Sequence, residues 1–189
     1  NWTATVPPAD LTGLKDGDAS VQVSVTNVNG NIASAGREYS VDATAPTVTI
    51  DTVAGDNVIN SSEAGTGVTI SGSTTAEVGQ TVTVTLGGNS YTAQVLQGGI
   101  WSVNVPAGDL TAMADNGYTV QVSVSDAAGN TGSANKAITL DTTPPTVSFN
   151  IVAGDDVINS LEHTQAQIVI GTATGANVGD KLVITIGSN

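Results

Sequence analysis

The feature that most constrains this chain is a stretch it carries twice. Asp42–Glu63 reads Asp-Ala-Thr-Ala-Pro-Thr-Val-Thr-Ile-Asp-Thr-Val-Ala-Gly-Asp-Asn-Val-Ile-Asn-Ser-Ser-Glu. Asp141–Glu162 reads Asp-Thr-Thr-Pro-Pro-Thr-Val-Ser-Phe-Asn-Ile-Val-Ala-Gly-Asp-Asp-Val-Ile-Asn-Ser-Leu-Glu. The offset is 99 residues (141 − 42). It continues upstream: Trp2–Pro7 matches Trp101–Pro106, Asp10-Leu11 matches Asp109-Leu110, and Val21–Val25 matches Val120–Val124. Downstream, Val178–Gly187 matches Val78–Gly87 at an offset of 100, so one residue is inserted between Glu162 and Val178. Self-similarity at a fixed period means one folding unit repeated along the chain. Residues 1–42 are then the C-terminal half of a unit, 43–141 a complete unit, and 142–189 the N-terminal half of a third.

The complete unit alternates apolar and polar residues in period two, the mark of strands with one buried face. Strands are predicted at 47–53, 67–74, 80–87, 90–96, 100–105, 118–125 and 135–141. A single helical turn is expected within 109–116. Turn residues break the strands at Glu77-Val-Gly, Gly87-Gly-Asn, Gly98-Gly, Asp115-Asn-Gly and Ala128-Gly-Asn. Seven short strands at this spacing predict an all-β, immunoglobulin-like sandwich, and the repeat makes an extended array of tandem sandwiches. Aromatics are only 3% of the chain, so the core must be aliphatic. It is expected to contain Ile70, Val82, Val84, Trp101, Val122, Val124 and Ile138, with Trp2 the equivalent core plug of the first half-unit. Each half-unit leaves an apolar face open. Two arrangements follow: a view of a longer chain, or the C-terminal half of one molecule completing the N-terminal half of the next.

Asp and Glu number 17 against four Lys and Arg, a formal charge of −13. That balance speaks against nucleic acid and anionic membrane surfaces as partners and favours divalent cations. No apolar run is long enough to cross a bilayer. The chain starts mid-pattern and shows no signal peptide. Without Cys, its stability must come from the core or from metal. With one His, no Cys and no nucleophile–base constellation, it is not expected to be an enzyme.

The acidic loop of the repeat can be set against the EF-hand ligand spacing. With Glu63 at position 12, Asp56 falls at 5, the Val58 carbonyl at 7 and Asn60 at 9. Positions 1 and 3 are Thr52 and Ala54, and Asp51 lies one residue early. Half a calcium site is present, in Asp56, Asn60 and Glu63, repeated in Asp155, Asn159 and Glu162. Two readings are open: calcium completed from elsewhere, or an Asx turn in which Asp56 and Asn57 cap local amides. At the joints, Asp42 and Asp141 end the last strands. Alternating strand direction places the turn at Asp126 against the preceding linker, facing Asp42. Converging carboxylates repel unless a cation joins them; the alternative is that both are solvated. His163, beside Glu162, is expected to be exposed.

The Asp141-Thr-Thr-Pro-Pro-Thr-Val joint, the Ala153-Gly-Asp-Asp-Val-Ile-Asn loop and the Ser125-Asp-Ala-Ala-Gly-Asn turn resemble the bacterial immunoglobulin-like repeats of giant adhesins exported by type I secretion. The resemblance covers essentially the whole chain. It implies a long extracellular rod, secreted or on the bacterial surface, with Ca2+ at or near the domain junctions. Its partners would be neighbouring repeats of the same chain, and a host-cell or biofilm surface through other domains. Residues 51, 57, 126 and 156 join the candidate ligands as Asp51, Asn57, Asp126 and Asp156. The copies differ, since Asn57 stands opposite Asp156, Asn150 opposite Asp51 and Asn27 opposite Asp126; an amide oxygen can ligate without charge. The rival functions are a glycan- or protein-binding module and an accessory domain of a secreted hydrolase.

Overall fold

A computed structural model of the chain describes residues 1–187. In chain order the elements are helix α1 (Pro8–Leu11), strands β1 (Gly17–Thr26), β2 (Ile32–Val41) and β3 (Val58–Asn60), helix α2 (Ser61–Thr66), strands β4 (Val68–Ser73), β5 (Thr81–Leu86), β6 (Asn89–Gln94) and β7 (Ile100–Val105), helix α3 (Ala107–Thr111), and strands β8 (Asn116–Ser125), β9 (Thr131–Asp141), β10 (Thr146–Phe149) and β11 (Gly171–Thr174). Glu162–Thr164 forms one turn of 3-10 helix. None of these helices is long and apolar enough to cross a membrane.

The alternating pattern becomes the core directly. On β5, Val82, Val84 and Leu86 are buried, while Thr81, Thr83 and Thr85 between them face outward. On β8, Val120, Val122 and Val124 do the same, and on β7, Trp101, Val103 and Val105. A five-stranded sheet runs in the order β3-β9-β8-β5-β6. Opposite it, β4 pairs with β7, and residues 47–51 extend that sheet through Thr49 N donating to Ser73 O (2.8 Å) and Asp51 N to Ser71 O (2.9 Å). The two layers enclose one core, all of whose buried apolar residues lie between Val53 and Leu140. All seven expected core residues belong to it. The close approach of residues 47–51 demands Gly72: a Cβ there would strike the Thr49 carbonyl oxygen and lie 2.6 Å from Cζ2 of Trp101. Gly171 plays the same part against Ser148. The insertion in the third unit therefore lies between Gly171 and Gly179, the residue matching the turn glycine Gly79.

Three expectations change. The predicted strand at 47–53 breaks after Asp51, and the chain turns through Ala54 and Asn57, both at positive φ (54° and 67°). It then forms β3, which pairs parallel with the end of β9, setting Asn60 beside Asp141. The acidic stretch ends in helix α2 rather than continuing as a loop. Finally, the last two long strands begin earlier than predicted, at 116 and 131, and the helical turn falls at Ala107–Thr111.

The flanking segments repeat parts of this plan. β1 pairs with β2 along its whole length, as β8 does with β9, and β10 pairs with β11, as residues 47–51 do with β4. Trp2 is 72% exposed where Trp101 is 1% exposed. It lies against the β1–β2 ribbon beside Val23, Val25, Ala33 and Ala35, and among the described residues no second layer covers it.

Candidate functional site

Each acidic loop turns its side chains onto its own backbone. Asn57 occupies the left-handed region, which Asn and Asp tolerate better than other residues. Its Oδ1 accepts from Val53 N (3.0 Å), and Asp56 Oδ1 accepts from Val58 N (2.9 Å). Asn60 caps α2, its Oδ1 accepting from Ser62 N and Glu63 N (2.9 and 3.1 Å), while Glu63 Oε2 accepts from Asn60 N (3.0 Å). This is a capping box, which satisfies orphan amides at both ends of its span. The second copy repeats it with Asp155 on Val157 N, Asp156 on Val152 N, and Asn159 paired reciprocally with Glu162. The Asx-turn geometry is thus present in both loops. Asp51 is separate from these caps: its Oδ2 accepts from Ser71 Oγ (2.7 Å) across the sheet. His163 is exposed, as expected.

The first joint brings together oxygens from the β1–β2 segment and from the complete sandwich. Asn130, at the turn between β8 and β9, donates through Nδ2 to Asp126 Oδ2 (3.0 Å), to Asp42 O (3.2 Å) and to Asp42 Oδ1 (3.3 Å). One amide therefore spans the linker residue Asp42 and the turn residue Asp126, the pair expected to meet. Asp126 is only 9% exposed. Burial pushes its carboxyl up, but hydrogen bonds from the Asn130 side chain and from the amides of Asn130, Gly129 and Ala128 outweigh this and hold it below the usual range. Glu77 joins the same end, its Oε2 accepting from Ala127 N (3.0 Å). Gly132 lets the linker close on the turn, since any Cβ there would collide with the Pro46 carbonyl oxygen.

Asp16 is a participant that sequence reasoning missed. It lies just ahead of β1, and its carboxylate accepts from Ala43 N (2.8 Å) and, through Oδ2, from Thr44 Oγ1. The Thr44 and Ala43 hydrogen bonds hold its carboxyl below the usual range, against partial desolvation and the like charge of Asp126. Asp115 does the same at the second joint. It accepts from Thr142 N (2.9 Å), Thr142 Oγ1 (2.7 Å) and Thr143 Oγ1 (2.6 Å), and these bonds, the Thr143 hydroxyl first, lower its pKa. Asp42 and Asp141 each also accept from the amide two residues on, Thr44 N and Thr143 N, both at 3.3 Å. The two linkers are clamped in the same way, save that the Thr142 hydroxyl adds a bond that Ala43 cannot make. The signal was available: Asp16 and Asp115 are 99 residues apart, just ahead of matching strands.

The donors at each joint are oxygens of carboxylates, hydroxyls, an amide and backbone carbonyls, a set that suits hard cations such as calcium. Among the described residues, no three His, Cys, Asp or Glu side chains gather as a group placed to hold a metal ion. At the first joint the carboxylates of Asp42 and Asp126 are instead linked through the Asn130 amide.

A profile of the family described as Bacterial Ig-like domain matches residues 44–142. Among solved structures, a 1.5-MDa bacterial ice-binding adhesin, studied for host cell surface retention, is 34% identical over 92% of this chain and 58% of that one, with a TM-score of 0.50. A Ca2+-stabilized adhesin of an Antarctic bacterium is 37% identical over 90% of this chain and 43% of the other, with a TM-score of 0.46. An immunoglobulin-like domain of the M. primoryensis ice-binding adhesin is 41% identical over 53% of this chain and all of that domain, with a TM-score of 0.42. The chain thus spans just over half the length of the first of these and less than half of the second. No curated protein matches it.

Proposed function

The chain belongs to the bacterial Ig-like domain family, and on that premise we propose that it is a structural repeat segment of a large secreted or surface adhesin, a calcium-stiffened rod that presents a distal binding domain. The observation that carries this reading is the meeting, at one joint, of acidic groups from the β1–β2 segment and from the complete sandwich. Asp16 and Asp42 come from before the linker, Asp126 and Glu77 from after it, and the Asn130 amide bridges Asp42 to Asp126. A rod needs joints that resist bending. A cation held from both sides of a joint supplies that resistance and relieves carboxylate repulsion at the same place. The kinship to a large ice-binding adhesin supports the adhesin setting.

At the first joint, an ion would take the place of the Asn130 amide between Asp42 and Asp126. At the second, Asp141 and Asp115 supply the linker side, and the parallel pairing of β3 adds Asn60 beside Asp141. The acidic loops are further candidates, because Asp56, Glu63, Asp155 and Glu162 each have a second carboxylate oxygen that makes no hydrogen bond to the loop's own amides. Such a rod works outside the cell, where calcium is millimolar and affinities of about 10⁻⁴–10⁻³ M suffice. Its partners are neighbouring repeats of the same chain, and a host-cell or biofilm surface reached through other domains.

Calcium titration from a chelated start tests this. At ten times Kd, binding to the folded form alone adds ~1.4 kcal/mol, so the melting temperature must rise. Small-angle scattering should show the longest dimension increasing along the same titration. If neither quantity moves, the joints are held by protein hydrogen bonds alone and the calcium reading fails.

A further inference from the structure

We propose that the free edge of β6 is a self-association surface, on which β6 of a second copy pairs antiparallel and joins the two five-stranded sheets into one. Among the described residues β6 is hydrogen-bonded to β5 alone. The ladder fixes which way its backbone groups point. Val95 N donates to Gln80 O (2.9 Å), so by the alternation of an antiparallel pair Ala93, Tyr91 and Asn89 turn their N–H and C=O groups to β5. Those of Ser90, Thr92 and Gln94 point away from it. Such a row is a template for another strand, and sheets commonly blunt it with Pro, Lys, a bulge or a covering segment. The opposite edge of this sheet has such devices. There β3 covers the end of β9, and Lys136, paired with buried Val120, turns a charge inward. Asn89–Gln94 has neither Pro nor charge, and its register with β5 is unbroken. The strand is also held in place, since Tyr91 donates to Asp109 Oδ2 on α3 (2.7 Å).

Charge and geometry name the occupant. No charged residue lies between Glu77 and Asp109, the longest such run in a chain of net charge −13. β5, β6 and β7 all fall within it, so copies that repel one another elsewhere can approach along this flank. Val78, Leu96 and Ile100, exposed apolar residues of the complete unit, belong to the same run. An antiparallel edge pair is self-complementary, as a two-fold contact between identical chains requires. With the axis at Thr92, Thr92 faces its counterpart and Ser90 faces Gln94, so every outward N–H and C=O of these three residues finds a partner. Leu96 then falls beside Gly88 of the other copy, a turn residue with no side chain to obstruct it. β9 runs from the first joint, where Gly132 meets Pro46, to the second at Asp141, and β6 lies in the same sheet along that axis. The pair therefore sets two rods in opposite directions. On the adhesin reading above, on which this setting rests, they are rods reaching toward each other from two facing surfaces. One short edge makes a weak contact, and repeated units strengthen it by raising the effective concentration.

Single cysteines in this Cys-free chain test the register. Hydrogen-bonded partners of an antiparallel pair lie ~5.5 Å apart between Cα atoms, a span that a disulfide bridges. Under mild oxidation in chelator and ~0.15 M salt, Thr92→Cys should form disulfide dimers several-fold faster than Ser133→Cys, an exposed position on β9. Ser90→Cys and Gln94→Cys should each cross-link slowly alone and several-fold faster when mixed. Sedimentation velocity of the wild-type chain should show dimers as the protein approaches millimolar concentration. Thr92→Glu sets two carboxylates against each other on the axis and should abolish those dimers with the melting temperature unchanged. Thr92→Pro removes an outward N–H without breaking the ladder to β5, and should do the same. A wild-type chain that stays monomeric overturns the proposal, as do dimers that survive both Thr92 substitutions. Thr92→Cys cross-linking no faster than Ser133→Cys, or a mixture no faster than its components, equally overturns it. Because calcium is absent throughout, the outcome is separate from that of the calcium titration.

Discussion

Replacing Trp101 by alanine and by phenylalanine separates the two things its indole does in the core. The ring is 1% exposed and lies over the backbone of Gly72. Its Nε1 is buried without a hydrogen-bond partner among the described residues. Trp101→Ala removes most of a side chain that buries about 150–250 Å2. Large-to-small changes of this kind cost about 3–5 kcal/mol. For a domain near this size, each kcal/mol moves the melting temperature by about 4–8 °C, so the loss should exceed ~12 °C. Trp101→Phe leaves a smaller void of roughly 40 Å3, worth about 1 kcal/mol at 24 cal/mol per Å3. It also removes an unpaired buried donor, whose desolvation costs about 1–3 kcal/mol. The two effects oppose, and Trp101→Phe should range from unchanged to about 2 kcal/mol more stable than wild type. Urea unfolding followed by circular dichroism measures both, with Trp2→Ala as the exposed control. In dilute protein acrylamide should quench Trp2 and spare Trp101. A Trp101→Phe loss as large as that of Trp101→Ala would refute the reasoning, because the indole N–H would then need a partner in the folded state.

Asn130→Ala should leave the melting of the complete unit within about 1–2 kcal/mol of wild type, since it removes hydrogen bonds at a turn. It should nevertheless broaden the distribution of joint angles in small-angle scattering; an unchanged profile would mean that the amide does not hold the joint. Asp16 and Asp115 have folded pKa values below their unfolded ones, so their contribution is present above the unfolded pKa of about 3.9 and is lost as pH falls through the folded values. Protection of the Thr142 amide, taken against its intrinsic exchange rate, should therefore hold at neutral pH and be lost only in acid below about pH 4; loss of protection already near neutrality would count against the clamp. Ala54 sits at φ 54°, a left-handed conformation that costs an L-residue roughly 1–2 kcal/mol. Ala54→Gly should therefore stabilise the complete unit, by up to about 1 kcal/mol after the added chain entropy, and destabilisation in urea would show that the loop is not strained there.

Much of the architecture was legible because it is written locally. Strand periodicity depends on which side chains neighbour one another along the chain, so the buried faces of β5, β7 and β8 could be read from Val82, Val84, Trp101, Val122 and Val124. Even the meeting of Asp42 with Asp126 followed from counting strand directions. The parallel pairing of β3 did not, because three residues carry no period and their partner is far away in sequence. Nor did the capping box on α2: Asn60 and Glu63 fit a calcium-ligand spacing and a helix cap equally well on paper, and the backbone that follows them, not their order, selects the cap geometry.

Two pairs of residues mark where sequence ends and tertiary structure begins. Asp16 and Asp115 occupy equivalent positions and do the same thing, clamping the linker that follows, because everything each of them touches is present in both copies. Trp2 and Trp101 also occupy equivalent positions, yet one ring is exposed and the other buried. The repeat, the strand faces and the acidic joints were determined by sequence alone, since their causes are near in the chain. Burial was decided only by the second layer of the sandwich, because a side chain leaves water only when a distant segment covers it.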